Sequence, residues 1–149
     1  MRFWLIVLAA LGVVGPAQAA NYYLTSTQKN QAMFIDLDTV SSSAPGTKRF
    51  WLANIMLADP RAAYLMVFSE VNCIDQTTKA LEIAAYDESG ILLTSFNPQN
   101  GASLIATDTP AEVQFKLACE VSQPVETRRF GNVEPLLLRS ALTTAQKTR

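Results

Sequence analysis

The chain has two cysteines, Cys73 and Cys119, no histidine, and an N-terminus built like an export signal. Arg2 is the only charge before Lys29. An apolar run follows from Phe3 to Val14, then Gly15-Pro16, then the small-x-small triplet Ala17-Gln18-Ala19. A positive start, a hydrophobic middle and a small-residue site are the order of a secretory leader. The alternative is a membrane anchor, but the run is short of the roughly 20 apolar residues a span needs, and Gly15-Pro16 breaks it. Two cysteines in a chain that has left the reducing cytosol read most simply as a pair. A Cys73–Cys119 bond would close a loop of about 47 residues, worth roughly 4 kcal/mol in the chain-entropy account. Two free thiols are the alternative.

Cleavage after Ala19 divides the chain into a signal peptide at 1–19, an α+β body at 20–121 and a basic C-terminal extension at 122–149. About 130 residues then remain, enough for one domain with its own core. No cysteine lies near the cleavage site, so the chain does not read as a lipoprotein. No later segment is long and apolar enough to cross a membrane, so no span is expected in the mature chain. The expected location is periplasmic, secreted or at the cell surface. Losing Arg2 with the leader leaves 11 basic and 13 acidic side chains, a net charge of −2. Residues 20–121 carry 6 basic and 11 acidic groups; residues 122–149 carry 5 and 2. An acidic body lacks the basic face that general nucleic-acid binding needs.

Asn21–Ser26 and Ala32–Val40 read as strands, and Ser41 to Gly46 as a turn set by Pro45-Gly46. Thr47–Ala58 is apolar on both faces, which suggests a central strand covered on both sides. Ala63–Cys73 and Thr77–Tyr86 follow, the second with Leu81, Ile83 and Ala85 inward. Asp87-Glu88-Ser89-Gly90 reads as a hairpin loop, with Gly90 supplying the left-handed residue, and Ile91–Phe96 returns. Short connections predict about six strands in an antiparallel sheet.

Thr109–Glu120 (TPAEVQFKLACE) is ambiguous. Val113, Phe115, Leu117 and Cys119 alternate as in a strand. Thr109, Pro110 and Glu112 instead have the spacing of a capping box with proline in the first turn. The helix reading is preferred, from Pro110 to about Glu120, lying on the sheet and held by the disulfide. Gln123-Pro124 and Gly131-Asn132 read as linker. Glu134-Pro135 opens a second helix to about Gln146, with Leu138, Ala141, Leu142 and Ala145 on one stripe. That helix either docks on its own domain or is a detachable element for a partner.

The absence of histidine removes Ser-His and Cys-His nucleophile systems and His-containing zinc sites. No phosphate-cradling glycine loop is present. Asp36 and Asp38, two apart on an expected strand, are candidates for acid–base work or Ca²⁺ binding, against the plainer reading of a solvated face. No catalytic residue, metal or cofactor is assigned. Tyr22, Tyr23, Tyr64 and Tyr86 are candidates for an exposed aromatic contact surface, against partial core packing.

Asp36–Val40 (DLDTV), Trp51 in a long strand, the "VNC" ending at Cys73, then "AAYDESGILLTSF" and "TP…LAC" resemble the surface-adhesin protein E family of Gram-negative bacteria. The resemblance spans Tyr22 to Glu120. It implies a six-stranded antiparallel sheet, a helix held to it by a Cys73–Cys119 disulfide, and binding at the cell surface to host matrix proteins. One member also binds haem and dimerises. This chain departs from the pattern in lacking a lipid-attachment cysteine and any histidine, and in its basic tail. The resulting expectation is an exported, non-catalytic binding protein that engages a protein or cell-surface ligand at a sheet face, the 87–90 hairpin or an open edge. The alternative is a structural or assembly subunit of the periplasm or envelope, with a homodimer as one form. The ligand itself is unknown from sequence.

Overall fold

The computed structural model describes residues 20–147. The leader expected at 1–19 lies outside the described residues. Nine strands form one antiparallel sheet: β1 (Ala20–Gln28), β2 (Gln31–Asp36), β3 (Ser41–Ala44), β4 (Thr47–Met56), β5 (Tyr64–Asn72), β6 (Thr77–Tyr86), β7 (Leu92–Phe96), β8 (Ser103–Leu104) and β9 (Arg129–Val133). The order across the sheet is β7-β6-β5-β4-β2-β1-β9, with β3 beside β4 and β8 beside β6. Two helices complete the fold, α1 (Pro110–Ala118) and α2 (Pro135–Lys147).

Alternation along the central strands divides the apolar side chains between two cores. Tyr22, Phe34, Ala53, Ile55 and Tyr64 point to one face, where Leu138 of α2 joins them. Tyr23, Ile35, Phe50, Leu52, Val67 and Val71 point to the other, where Leu117 and Ala118 of α1 join them. One helix therefore covers part of each face. The expected two-sided burial of the 47–58 segment is what β4 shows.

The sheet has nine strands rather than about six, and each missed strand has a local reason. β3 reads Ser-Ser-Ser-Ala, fully exposed, with no apolar alternation to reveal it. It is a strand because Gly46, at φ +71°, closes a tight hairpin onto β4. β8 is two residues long. β9 lies where Pro124 and Gly131 suggested a linker, yet it pairs with β1 through Tyr22↔Phe130 and Tyr23↔Arg129. Residues 129–147 are thus built into the same sheet and core as the body. Gly90 takes φ +75° in the hairpin before β7, as expected.

The opening ambiguity resolves as a helix. The Glu112 N–H donates to Thr109 Oγ1 at 3.3 Å, and Glu112 Oε2 accepts from the Asp108 N–H at 2.8 Å. The two ends of a capping box are present, with the glutamate reaching one residue further back than usual. Glu112 also pairs with Lys116 at 2.7 Å, one turn on. The helix stops at Ala118, and Cys119 is its C-cap. Glu120 follows at φ +60°, and the Val121 N–H donates to Lys116 O at 2.8 Å, a Schellman-type stop with glutamate where glycine is favoured.

Cys73 and Cys119 are disulfide-bonded, with Cα atoms 5.8 Å apart, well inside the bonding range. Cys73 follows the last residue of β5 and Cys119 follows the last residue of α1. The bridge therefore joins two element ends instead of gripping the helix along its length.

Replacing both cysteines (Cys73→Ser with Cys119→Ser) should lower stability by about 4 kcal/mol, read from the urea midpoint. An unchanged midpoint would show that the crosslink does no thermodynamic work. Glu120→Gly should raise stability by about 0.5 kcal/mol, because the left-handed strain it relieves exceeds the entropy glycine adds to the unfolded chain. A lower midpoint in that variant would show that the strain reading is wrong.

Candidate functional site

The site candidates from sequence separate cleanly in space. Asp36 and Asp38 do not share a strand face. β2 ends at Asp36, and Leu37–Thr39 is a 3-10 turn. Asp36 Oδ1 accepts from the Asp38 N–H at 3.1 Å, and Asp38 Oδ1 accepts from the Asn21 side chain. Thr39 ties the turn to the sheet: its hydroxyl donates to Asp36 O and accepts from the Trp51 N–H at 2.9 Å. The pair is a capped turn, not two carboxylates aimed at one ligand. Asp36 is nearly buried beside Tyr22, and burial raises its carboxyl above the ordinary range, with the nearby Asp38 charge adding to the effect.

The tyrosines are core, not an exposed aromatic surface. Tyr22, Tyr23 and Tyr64 are buried, and half-buried Tyr86 stacks on Tyr64 with ring centroids 4.8 Å apart. Burial raises the Tyr22 hydroxyl well above its ordinary value, and the Asp36 carboxylate opposite it acts in the same direction.

The part of the α2-side face that α2 leaves open carries a charged ladder. Glu70 on β5 bonds Arg49 of β4 at 2.7 Å and Lys79 of β6 at 2.9 Å. The two cations hold the Glu70 carboxyl below the usual range, Lys79 contributing most. Lys79 and Glu82 pair with Glu70 and Phe68, so they share a face although three apart in sequence. A bulge at Leu81 makes this possible and breaks the simple alternation expected for the strand. Trp51 and Phe68 stack beside the ladder, 5.0 Å between centroids. Arg49, Glu70 and Lys79 are joined by ion pairs and Trp51 stacks on Phe68, whereas Glu82 has no ion-pair partner among the described residues.

The 87–90 hairpin is likewise occupied. Asp87 Oδ1 accepts from the Ser89 and Ile91 N–H groups at 2.8 and 2.9 Å, which shapes the turn. Glu88 bonds Arg139 of α2 at 2.7 Å, and Arg139 also donates to Met56 O, so the hairpin helps seat the helix.

What remains is the sheet edge at β7 and β8. β7 is exposed along its whole length, and no strand lies on its outer side among the described residues. Ile91 is 62 % exposed, Leu92 51 %, Leu93 50 %, Phe96 54 % and Leu104 79 %. Residues 91–107 contain no charged side chain. Natural sheets guard such edges with lysine, inward charges, bulges or a covering element, since bare edges recruit other chains. Here the edge is apolar, and no charge stands on it. Its sequence signal was the charge-free stretch, which strand counting passed over.

No histidine is present, both cysteines are bonded, and the described residues hold no group of three or more acidic or cysteine side chains placed to hold a metal ion. Cavities of about 380 and 390 Å³ flank α2, one under the tip of the β1–β2 hairpin and one beside Glu88 and Arg139.

No family model matches the sequence, and no curated protein matches it. Among solved structures, crystal form II of Haemophilus influenzae protein E is similar at 12 % identity and a TM-score of 0.46, over 65 % of this chain and 92 % of that one. Protein E from non-typeable Haemophilus influenzae is similar at 14 % identity and 0.44, over 83 % and 88 %. The likeness is a distant structural one.

The raised Asp36 carboxyl has a definite sign. The folded chain holds that proton more tightly than the unfolded chain, so ionisation takes stability away as pH rises from the ordinary carboxylate range through the raised value. Asp36→Asn keeps an oxygen for the Asp38 N–H and removes the charge. It should be more stable than the parent at pH 7, with the difference shrinking towards pH 3. Thermal unfolding across that range checks this; a variant that is weaker at pH 7 would mean that Asp36 stabilises as an anion.

Proposed function

We propose that this is an exported, non-catalytic binding protein that engages a protein partner by strand addition along the β7–β8 edge. The observation that carries the reading is the edge itself: five large apolar side chains half or more exposed on a row without a single charge. In strand addition the open backbone supplies affinity and alternate side chains supply specificity. A disulfide and the lack, among the described residues, of a helix able to cross a membrane are consistent with export.

A second reading uses the same edge: a structural subunit of the envelope that pairs β7 with β7 of a second copy. Removing residues 122–149 is a poor test of it. β9 and Leu138 belong to the sheet and one core, so truncation would unfold part of the body.

The test is a random peptide library displayed on phage and selected on the mature protein. Selected peptides should slow amide hydrogen exchange at Leu92–Phe96. Leu93→Lys with Phe96→Lys should weaken their binding at least about tenfold while changing stability by less than about 1 kcal/mol, since both side chains are half exposed. Binders that protect another surface and ignore this variant would refute the reading. A dimer in sedimentation that the same variant converts to monomer would favour the second reading.

A further inference from the structure

We propose that the segment accepted by this edge is apolar and uncharged in its middle and basic at both ends. The inference rests on the strand-addition reading and adds the chemistry of the partner.

The charges bordering the uncharged row are acidic. At the β7 end, the hairpin carries Asp87 and Glu88. At the β8 end, the Ile105 N–H donates to Gln76 O at 2.9 Å, which brings the strand's exit beside the 73–76 turn and its exposed Asp75. Between the ends, Glu82 lies on β6, one strand in from the edge, and has no ion-pair partner among the described residues. The nearby cations are engaged: Lys79 by Glu70 at 2.9 Å, and Arg139 by Glu88 at 2.7 Å, which offsets the Glu88 charge. Asp87, Glu82 and Asp75 have no ion-pair partner among the described residues. β6 runs the length of this edge from Thr77 to Tyr86, about 30 Å, so a segment of about ten residues reaches from one acidic end to the other.

The same pattern opposes a second copy. An antiparallel pairing of two such edges sets the Asp87 end of one against the Asp75 end of the other, and like charges facing each other across a sheet repel. A partner with basic ends turns that repulsion into attraction, which steers encounter and fixes register.

Three fluorescein-labelled peptides test this, sharing an alternating Thr-Val core and ending in Lys, Ser or Glu on both sides. Anisotropy against the mature protein at about 0.02 M salt should rank Lys above Ser above Glu, with at least about tenfold between the extremes. The gap should close at about 0.3 M salt, where screening is strong. Asp75→Asn should weaken the Lys-ended peptide and leave the Ser-ended one unchanged. Equal binding by all three overturns the basic-end preference and leaves strand addition standing. No binding by any of them, with the β7 amides unprotected, overturns both. A dimer that none of the peptides disrupts assigns the edge to a second copy and overturns the inference.

Discussion

Phe50 and Ile55 lie five residues apart on β4 and belong to different cores. That division is the constraint on which the rest of the structure depends. A strand buried on both faces needs cover on both, and among the described residues two α-helices supply it. α1 takes one face with Leu117 and Ala118, and α2 takes the other with Leu138. Each helix sits over the β1–β2–β4 region. Burial therefore falls away towards one edge: β2 buries four of its six residues, β4 four of ten and β5 four of nine, while β6 buries only Ala84 and β7 buries nothing. The bare edge follows from having two short helices on a broad sheet.

The disulfide fits the same scheme. α1 is nine residues long, shorter than helices that hold together alone in water. Its start is fixed by Thr109 and Glu112 and its end by the Glu120 turn, and the disulfide lies just beyond that end, between Cys119 and Cys73. Both termini are set by local chemistry, which leaves Leu117 and Ala118 to supply packing. Capping at both ends accompanies a small buried stripe.

How much of this was legible in sequence depended on whether a residue's role was local. Thr109-Pro110-Glu112 declared the helix against an alternating pattern, because capping geometry is local and periodicity over four apolar residues is weak. β4 was legible because its apolar residues run along both faces of a long segment. β3 was not, since three serines carry no burial signal and its pairing is imposed by the Pro45-Gly46 turn. β9 was not, since it is a strand only because β1 offers it an edge. The Asp36–Asp38 pairing failed because a 3-10 turn changes the period exactly where a strand face was assumed. The tyrosines took the core-packing alternative, which sequence could not decide because depth depends on which strands lie beside them.

The electrostatics and the edge point the same way. Glu70 is stabilised by its cations and Asp36 is not, but both charges are contained within the body. Along the 91–107 edge no charge was spent on protection. Ile91, Leu92, Leu93 and Phe96 are too exposed to contribute much to the cores, so stability gives little reason for their apolar character. Solubility gives a reason against it, since a bare apolar edge invites unwanted pairing. A feature that neither stabilises the fold nor protects it is best accounted for by a chain that covers it, and the acids at its two ends restrict which chains can.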